Sequence, residues 1–122
     1  MRTRALWLII AAFAFLLPAS SPASSSPSFP DRYDSEIERA AGKWLPGMPW
    51  RMWKGQLAAE SALDPAAVSP VGAAGLAQMM PGTWREVRQA MGWGLVSPHD
   101  VRYAVEGGAF YLARLIRFWS SP

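Results

Sequence analysis

The 122-residue chain contains no cysteine and no asparagine. Without cysteine there is no disulfide framework and no thiolate metal site. A lipid-modified export signal is excluded too, because it needs a cysteine to carry the lipid. Without asparagine there is no N-glycosylation sequon. Histidine occurs once, at His99, so a histidine-rich metal site is excluded. No nucleophile-elbow motif accompanies it, which argues against a Ser/His/Asp triad. No run of alternating apolar and polar residues reads as a strand. Charge is also sparse, with 12 Lys+Arg against 9 Asp+Glu. Arg2 and Arg4 lie in the first segment, and without them the balance is 10 to 9. So small an excess gives no electrostatic case for nucleic acid.

Apolar residues are abundant, at 51% of the chain. Residues 1–23 read as an export signal. Met1-Arg-Thr-Arg4 is a basic start, and Ala5 to Leu17 is uncharged. That run is short for a membrane span and suits a signal core. Ser21 and Ala23 allow cleavage after Ala23, and an uncleaved anchor is the alternative. The expected location is exported, in the periplasm or cell envelope, with membrane contact only if the signal stays attached. Residues 24–32, rich in Pro and Ser, read as a linker.

Residues 33–122 read as one all-α domain with five helical pieces. Ser35 and Glu38 fit a capping box opening the first helix. Its buried stripe would be Tyr33, Ile37, Ala40, Ala41 and Trp44. A second helix starts near Pro49 and runs to Asp64-Pro65. A short helical piece is expected over Gly75–Met80. Thr83 and Glu86 fit a second capping box, for a helix ending near Met91 before Gly92. The last helix opens at Ser97-Pro98, with Asp100 in its first turn. Its stripe is Val101, Val105, Gly108, Leu112, Leu115 and Trp119. Gly107 and Gly108 within it imply close approach by a backbone or a ligand.

Glu60 is the unusual residue. Trp53, Leu57 and Glu60 share a helix face, which puts a carboxyl on the packing side. Its neighbours one turn away are Gln56, Leu57, Leu63 and Asp64, and none is a cation. Two readings stay open at this point. One is an ion pair with a distant residue. The other is an acid that burial keeps protonated, able to hand a proton to a glycosidic oxygen. The loop that follows is made of small residues. Gly72, Ala73, Ala74 and Gly75 let a polymer approach the main chain, and Gln78 supplies amide groups for hydroxyls or N-acetyl groups. Tight packing of the small residues is the alternative. Glu106 is expected on a solvated helix face. Trp93, between two glycines, is the best sugar-stacking candidate. Arg114 to Trp119 reads as the last helix's end, with one buried and one basic face.

Glu60-Ser61, Ser69, the run Gly72-Ala-Ala-Gly-Leu-Ala-Gln-Met-Met-Pro81 and Thr83-Trp84 closely resemble the soluble lytic transglycosylase (SLT) domain of the lysozyme-like superfamily. Ala104 to Leu112 resembles that family's NIxxGxxYL stretch, with Ala104 replacing its asparagine. The resemblance covers residues 33–119. It implies a lysozyme-like helical domain that cuts the β-1,4 bond between N-acetylmuramic acid and N-acetylglucosamine in peptidoglycan, leaving a 1,6-anhydro end. It implies Glu60 as the catalytic acid and base. Ser69, Gly72, Ala73, Gly75, Gln78 and Met79 would contact the glycan strand. No metal or cofactor is implied. A lysozyme-type muramidase, or an inactive peptidoglycan-binding remnant, is the alternative. The family's later Tyr-Asn-Ala-Gly motif cannot occur in a chain without asparagine. The domain is therefore expected to be incomplete at its C-terminal side, with a marginal core and weak activity.

Overall fold

The computed structural model describes residues 29–122. The expected signal, and the linker up to residue 28, lie outside the described residues. Within them the chain forms four helices. These are α1 (Asp34–Trp44), α2 (Trp50–Ser61), α3 (Pro81–Met91) and α4 (Val101–Ser120). The all-α expectation holds, with four helices in place of five pieces.

Helix α1 buries Ile37, Ala40 and Ala41, one stripe at helical spacing. Tyr33 and Trp44 are half-buried against it. The Ser35 capping box does not form. The helix starts a residue earlier, with Tyr33 at the N-cap, and the Ser35 hydroxyl donates to Glu36 at 2.8 Å. Asp34 and Glu36 occupy the first turn, where the helix dipole favours negative charge. Lys54 of α2 lies 2.7 Å from Asp34 and 3.1 Å from Asp31, which ties the start of α1 to α2.

Helix α2 buries Trp53, Leu57, Ala58 and Ser61. Pro49 is its N-cap and lies just outside it. The helix stops because Ala62 and Leu63 turn left-handed, at φ 53° and 57°. No glycine marks that stop, so the strain is carried by two ordinary residues.

Residues 75–80 are not helical. Ala74 sits between two antiparallel bridges, one to Val68 and one to Met79. The Ala74 and Met79 amides each donate to the other's carbonyl, at 3.0 and 3.2 Å. Left-handed φ at Gly75 (77°) and Gln78 (47°) bends this run into a tight turn and breaks the helical path. A Cβ built on Gly75 would lie 1.8 Å from the Pro98 carbonyl oxygen. Only glycine lets the loop dock there.

Helix α3 begins at Pro81, so Thr83 lies inside its first turn and cannot cap it. Proline suits that position because it has no N–H to satisfy. Gly92 ends the helix in the left-handed form, as expected. Helix α4 starts at Val101, later than Ser97-Pro98 suggested. Asp100 is its N-cap, and its carboxylate accepts from the Arg102 amide at 3.0 Å. Ser97 instead shapes the preceding turn, where its hydroxyl accepts from the His99 amide.

Two clusters make the core. Ile37, Leu45, Trp53, Leu57, Leu63, Leu76 and Val105 join α1, α2, the loop and α4. Met79, Trp84 and Val87 form the second, beside Trp93, Tyr103 and Phe110. Along α4, burial ends at Ala113. Leu115 is half-buried and Trp119 is 46% exposed, although both continue the apolar stripe. The other helices do not cover the last turns. No helix among the described residues is long and apolar enough to cross a membrane.

Candidate active site

Glu60 is the penultimate residue of α2. Leu57, one turn earlier, is fully buried. Ser61 is buried beside it, and its hydroxyl donates to the Leu57 carbonyl at 3.0 Å. Glu60 itself is half-buried, on the margin of the packed face. It makes no salt bridge among the described residues. Its one hydrogen bond comes from the Gln56 amide Nε2, at 3.5 Å. Burial raises the affinity of Glu60 for its proton, and the Gln56 donor opposes this.

Glu106 on α4 is the contrasting case. Its carboxylate accepts from Lys43 at 2.8 Å and from the Trp44 indole at 3.3 Å. Burial pushes its pKa up, but the Lys43 and Trp44 donors outweigh this and hold it below the usual range. The solvated position expected for Glu106 is thus a structural ion pair linking α4 to α1. Glu106 thus has a cation at hydrogen-bond distance, and Glu60 has none among the described residues.

The loop from Ala62 to Met80 follows the end of α2, one residue after Glu60. Ser69 braces it: the Ser69 amide donates to Ala73 O at 2.8 Å, and its hydroxyl accepts from the Ala73 amide at 3.0 Å. The Gln78 Nε2 group donates to Ala67 O at 3.2 Å and to Gly75 O at 2.9 Å. Both of its N–H protons are thereby committed inside the loop. Gln78 Oε1 and the Ser69 hydroxyl proton make no bond among the described residues. Ala73, Gly75 and Met79 are buried, and Gly72 is half-buried at φ 89°.

A family model described as "Transglycosylase SLT domain" matches residues 40–121. The chain belongs to the SLT transglycosylase family. At the family level this gives it a lytic transglycosylase-type role directed at peptidoglycan, outside the cytoplasm. The matched span runs from within α1 to the end of α4 and includes Glu60 and the whole small-residue loop.

Other parts of this SLT domain are committed to packing. The Trp93 ring lies edge-on to Tyr103 at 4.9 Å and tilted against Trp84 at 6.1 Å. Trp93, the sugar-stacking candidate, is half-buried in the second cluster. His99 contacts the Pro65 carbonyl through Nδ1 at 2.7 Å and pins the loop to the segment before α4. The close approach expected at Gly107 and Gly108 occurs, and side chains make it. A Cβ on Gly108 would lie 2.8 Å from Ala77 Cβ and 2.9 Å from the Trp53 ring. Two shallow hollows among the described residues are lined by Glu36, Arg39, Ala40, Lys43, Arg102 and Glu106, and by Pro65, Ala66, Val68 and His99. Neither contains Glu60.

Sequence reasoning noted Gln56 only as a non-cationic neighbour and missed it as the donor to Glu60. The i to i+4 spacing was the available signal.

Proposed function

We propose that this chain is a peptidoglycan lytic transglycosylase in which Glu60 is the single acid and base. The observation that carries the proposal is the half-buried Glu60 carboxyl, without a cation and with its proton held more tightly than usual. Glu106, by contrast, is half-buried and paired with Lys43.

In the proposed reaction the neutral carboxyl gives its proton to the oxygen bridging N-acetylmuramic acid and N-acetylglucosamine. The bond from muramic C1 to that oxygen breaks. Glu60, now ionised, takes the proton of the muramic C6 hydroxyl as O6 bonds to C1. A 1,6-anhydro end results, the carboxyl is again neutral, and no water is consumed. Burial serves the first step, because it favours the protonated form at the start. The internal nucleophile removes the need for a second carboxylate, unlike the usual two-carboxylate scheme.

The loop would line the glycan site. Gly72 would face the glycan, and Ala73, Gly75 and Met79, buried beneath, would set the shape of the floor. Gln78 Oε1 and the Ser69 hydroxyl are the polar groups with capacity left for sugar hydroxyls or N-acetyl groups. Residues 1–23 would direct export, with cleavage after Ala23, which N-terminal sequencing of the exported protein checks.

The deciding experiment incubates purified sacculi with the chain and with Glu60→Gln. Anhydro-muropeptides from the first and none from the second are expected. Reducing ends would indicate a water-using muramidase. Sacculus binding without cleavage would indicate a non-catalytic binder. Equal release by both proteins would end the role of Glu60.

A further inference from the structure

We propose that Gln56 is a positioning residue for Glu60: its side-chain amide, one helical turn earlier, holds the carboxyl in place in both of its protonation states. The inference rests on the reading of Glu60 as acid and base.

Both side chains are half-buried on α2, and Gln56 Nε2 lies 3.5 Å from Glu60 Oε1. Neither side chain has another hydrogen bond among the described residues. Glu60 has no other hydrogen-bond partner and no salt bridge among the described residues, and the buried Trp53 indole N–H on the same helix does not bond it. On its own helix, Lys54 is taken up by Asp31 and Asp34. Arg51, nine positions earlier, stacks over the Trp50 ring. In the loop, the Asp64 carboxylate accepts from the Ala66 amide. On α4, Glu106 is held by Lys43. Burial and Gln56 are the two influences acting on Glu60, and they act in opposite directions.

The chemistry of the amide suits a group that must change role within one reaction. Toward an ionised carboxylate it offers N–H. After a half-turn of its terminal bond it offers C=O to a protonated carboxyl. A cation at position 56 would favour only the ionised form and weaken the acid's hold on its proton. An aliphatic residue would leave the ionised form unsupported. Glutamine can bond both forms and favours the ionised one less strongly than a cation would, which suits an acid that becomes a base.

The test reads Glu60 directly, by carbon-detected NMR titration of its side-chain carboxyl in the full chain. Gln56→Met, of similar length and without the amide, should move the midpoint to higher pH. Gln56→Lys should move it to lower pH. The order Lys, Gln, Met from low to high is expected, and a packing role alone would not sort the variants by charge. In the unsubstituted chain the Gln56 Nε2 protons should titrate with the Glu60 midpoint, and Glu60→Gln should flatten that response. This measurement stands even if a position-56 variant fails to fold. Identical midpoints in the three proteins, or Nε2 protons that ignore Glu60, would overturn the proposal. The titration is independent of turnover. A chain that cuts no glycan but shows the ordered midpoints would therefore refute the catalytic reading and leave the Gln56–Glu60 coupling intact.

Discussion

Gly75 and Pro98 approach so closely that one added methyl group at position 75 would meet the Pro98 oxygen at 1.8 Å. The contact joins the small-residue loop to the segment before α4. Gly75 also has φ 77°, a backbone state that costs other residues about 1–2 kcal/mol. Gly75→Ala should therefore lose more than about 2 kcal/mol, strain and overlap together. Urea unfolding checks the loss. Glycan cleavage should fall further than the loss of folded protein explains, because the loop must shift.

The glycines inside helices should divide by their surroundings. At Gly55 an added Cβ meets nothing within 4 Å, so Gly55→Ala should gain about 1 kcal/mol of helix propensity. At Gly108 the same Cβ would lie 2.8 Å from Ala77 and 2.9 Å from Trp53. Overpacking of about 1–3 kcal/mol should exceed the same propensity gain, and Gly108→Ala should destabilise. Chemical denaturation of both variants reads opposite signs.

Leu57 is fully buried one turn before Glu60. Leu57→Ala should cost about 2–5 kcal/mol, depending on how far the core collapses into the space. The shift in urea midpoint measures it. A cost below about 1 kcal/mol would mean that this turn is not packed as described.

Glu60 gives a pH signature with a definite sign. Its proton is held more tightly in the folded chain than in the unfolded chain. Between the ordinary glutamate range and the raised folded pKa, the folded state thus binds more protons. Stability must fall as pH rises through that window. Glu60→Gln cannot ionise, so its stability should overtake that of the unsubstituted chain across the same interval. Glu106 has the opposite sign. Its lowered folded pKa adds stability above the ordinary range, which is lost as pH falls. Lys43 is 57% exposed, so Lys43→Ala should cost no more than about 1 kcal/mol. Urea titrations from below the ordinary glutamate range up to neutral pH separate the two carboxyls.

Much of the fold was legible because breakers and periodicity agree. Pro49, Gly92 and the spacing of Ile37, Ala40 and Ala41 locate ends and faces without tertiary information. The short piece at 75–80 was misread because Leu76, Ala77, Gln78 and Met79 are good helix formers. The left-handed turn at Gln78 depends on its amide bonding Ala67 and Gly75, which spacing does not reveal. The capping boxes failed where a competing start was available, at Asp34 and at Pro81. Trp119 was assigned to the core because the α4 stripe continues, although the packing around it stops at Ala113. At the site, Glu60 was visible as a carboxyl among apolar neighbours. The fate of Glu106 was not, because its partner Lys43 is 63 positions away in the chain.

Ala74 is paired on both sides through main-chain groups, and none of those links uses a side chain. The outline of the small-residue loop is thus largely insulated from changes at its exposed tip, such as Val71. If the loop lines the glycan site as proposed, substitution there would change what a sugar meets while the scaffold beneath keeps its shape.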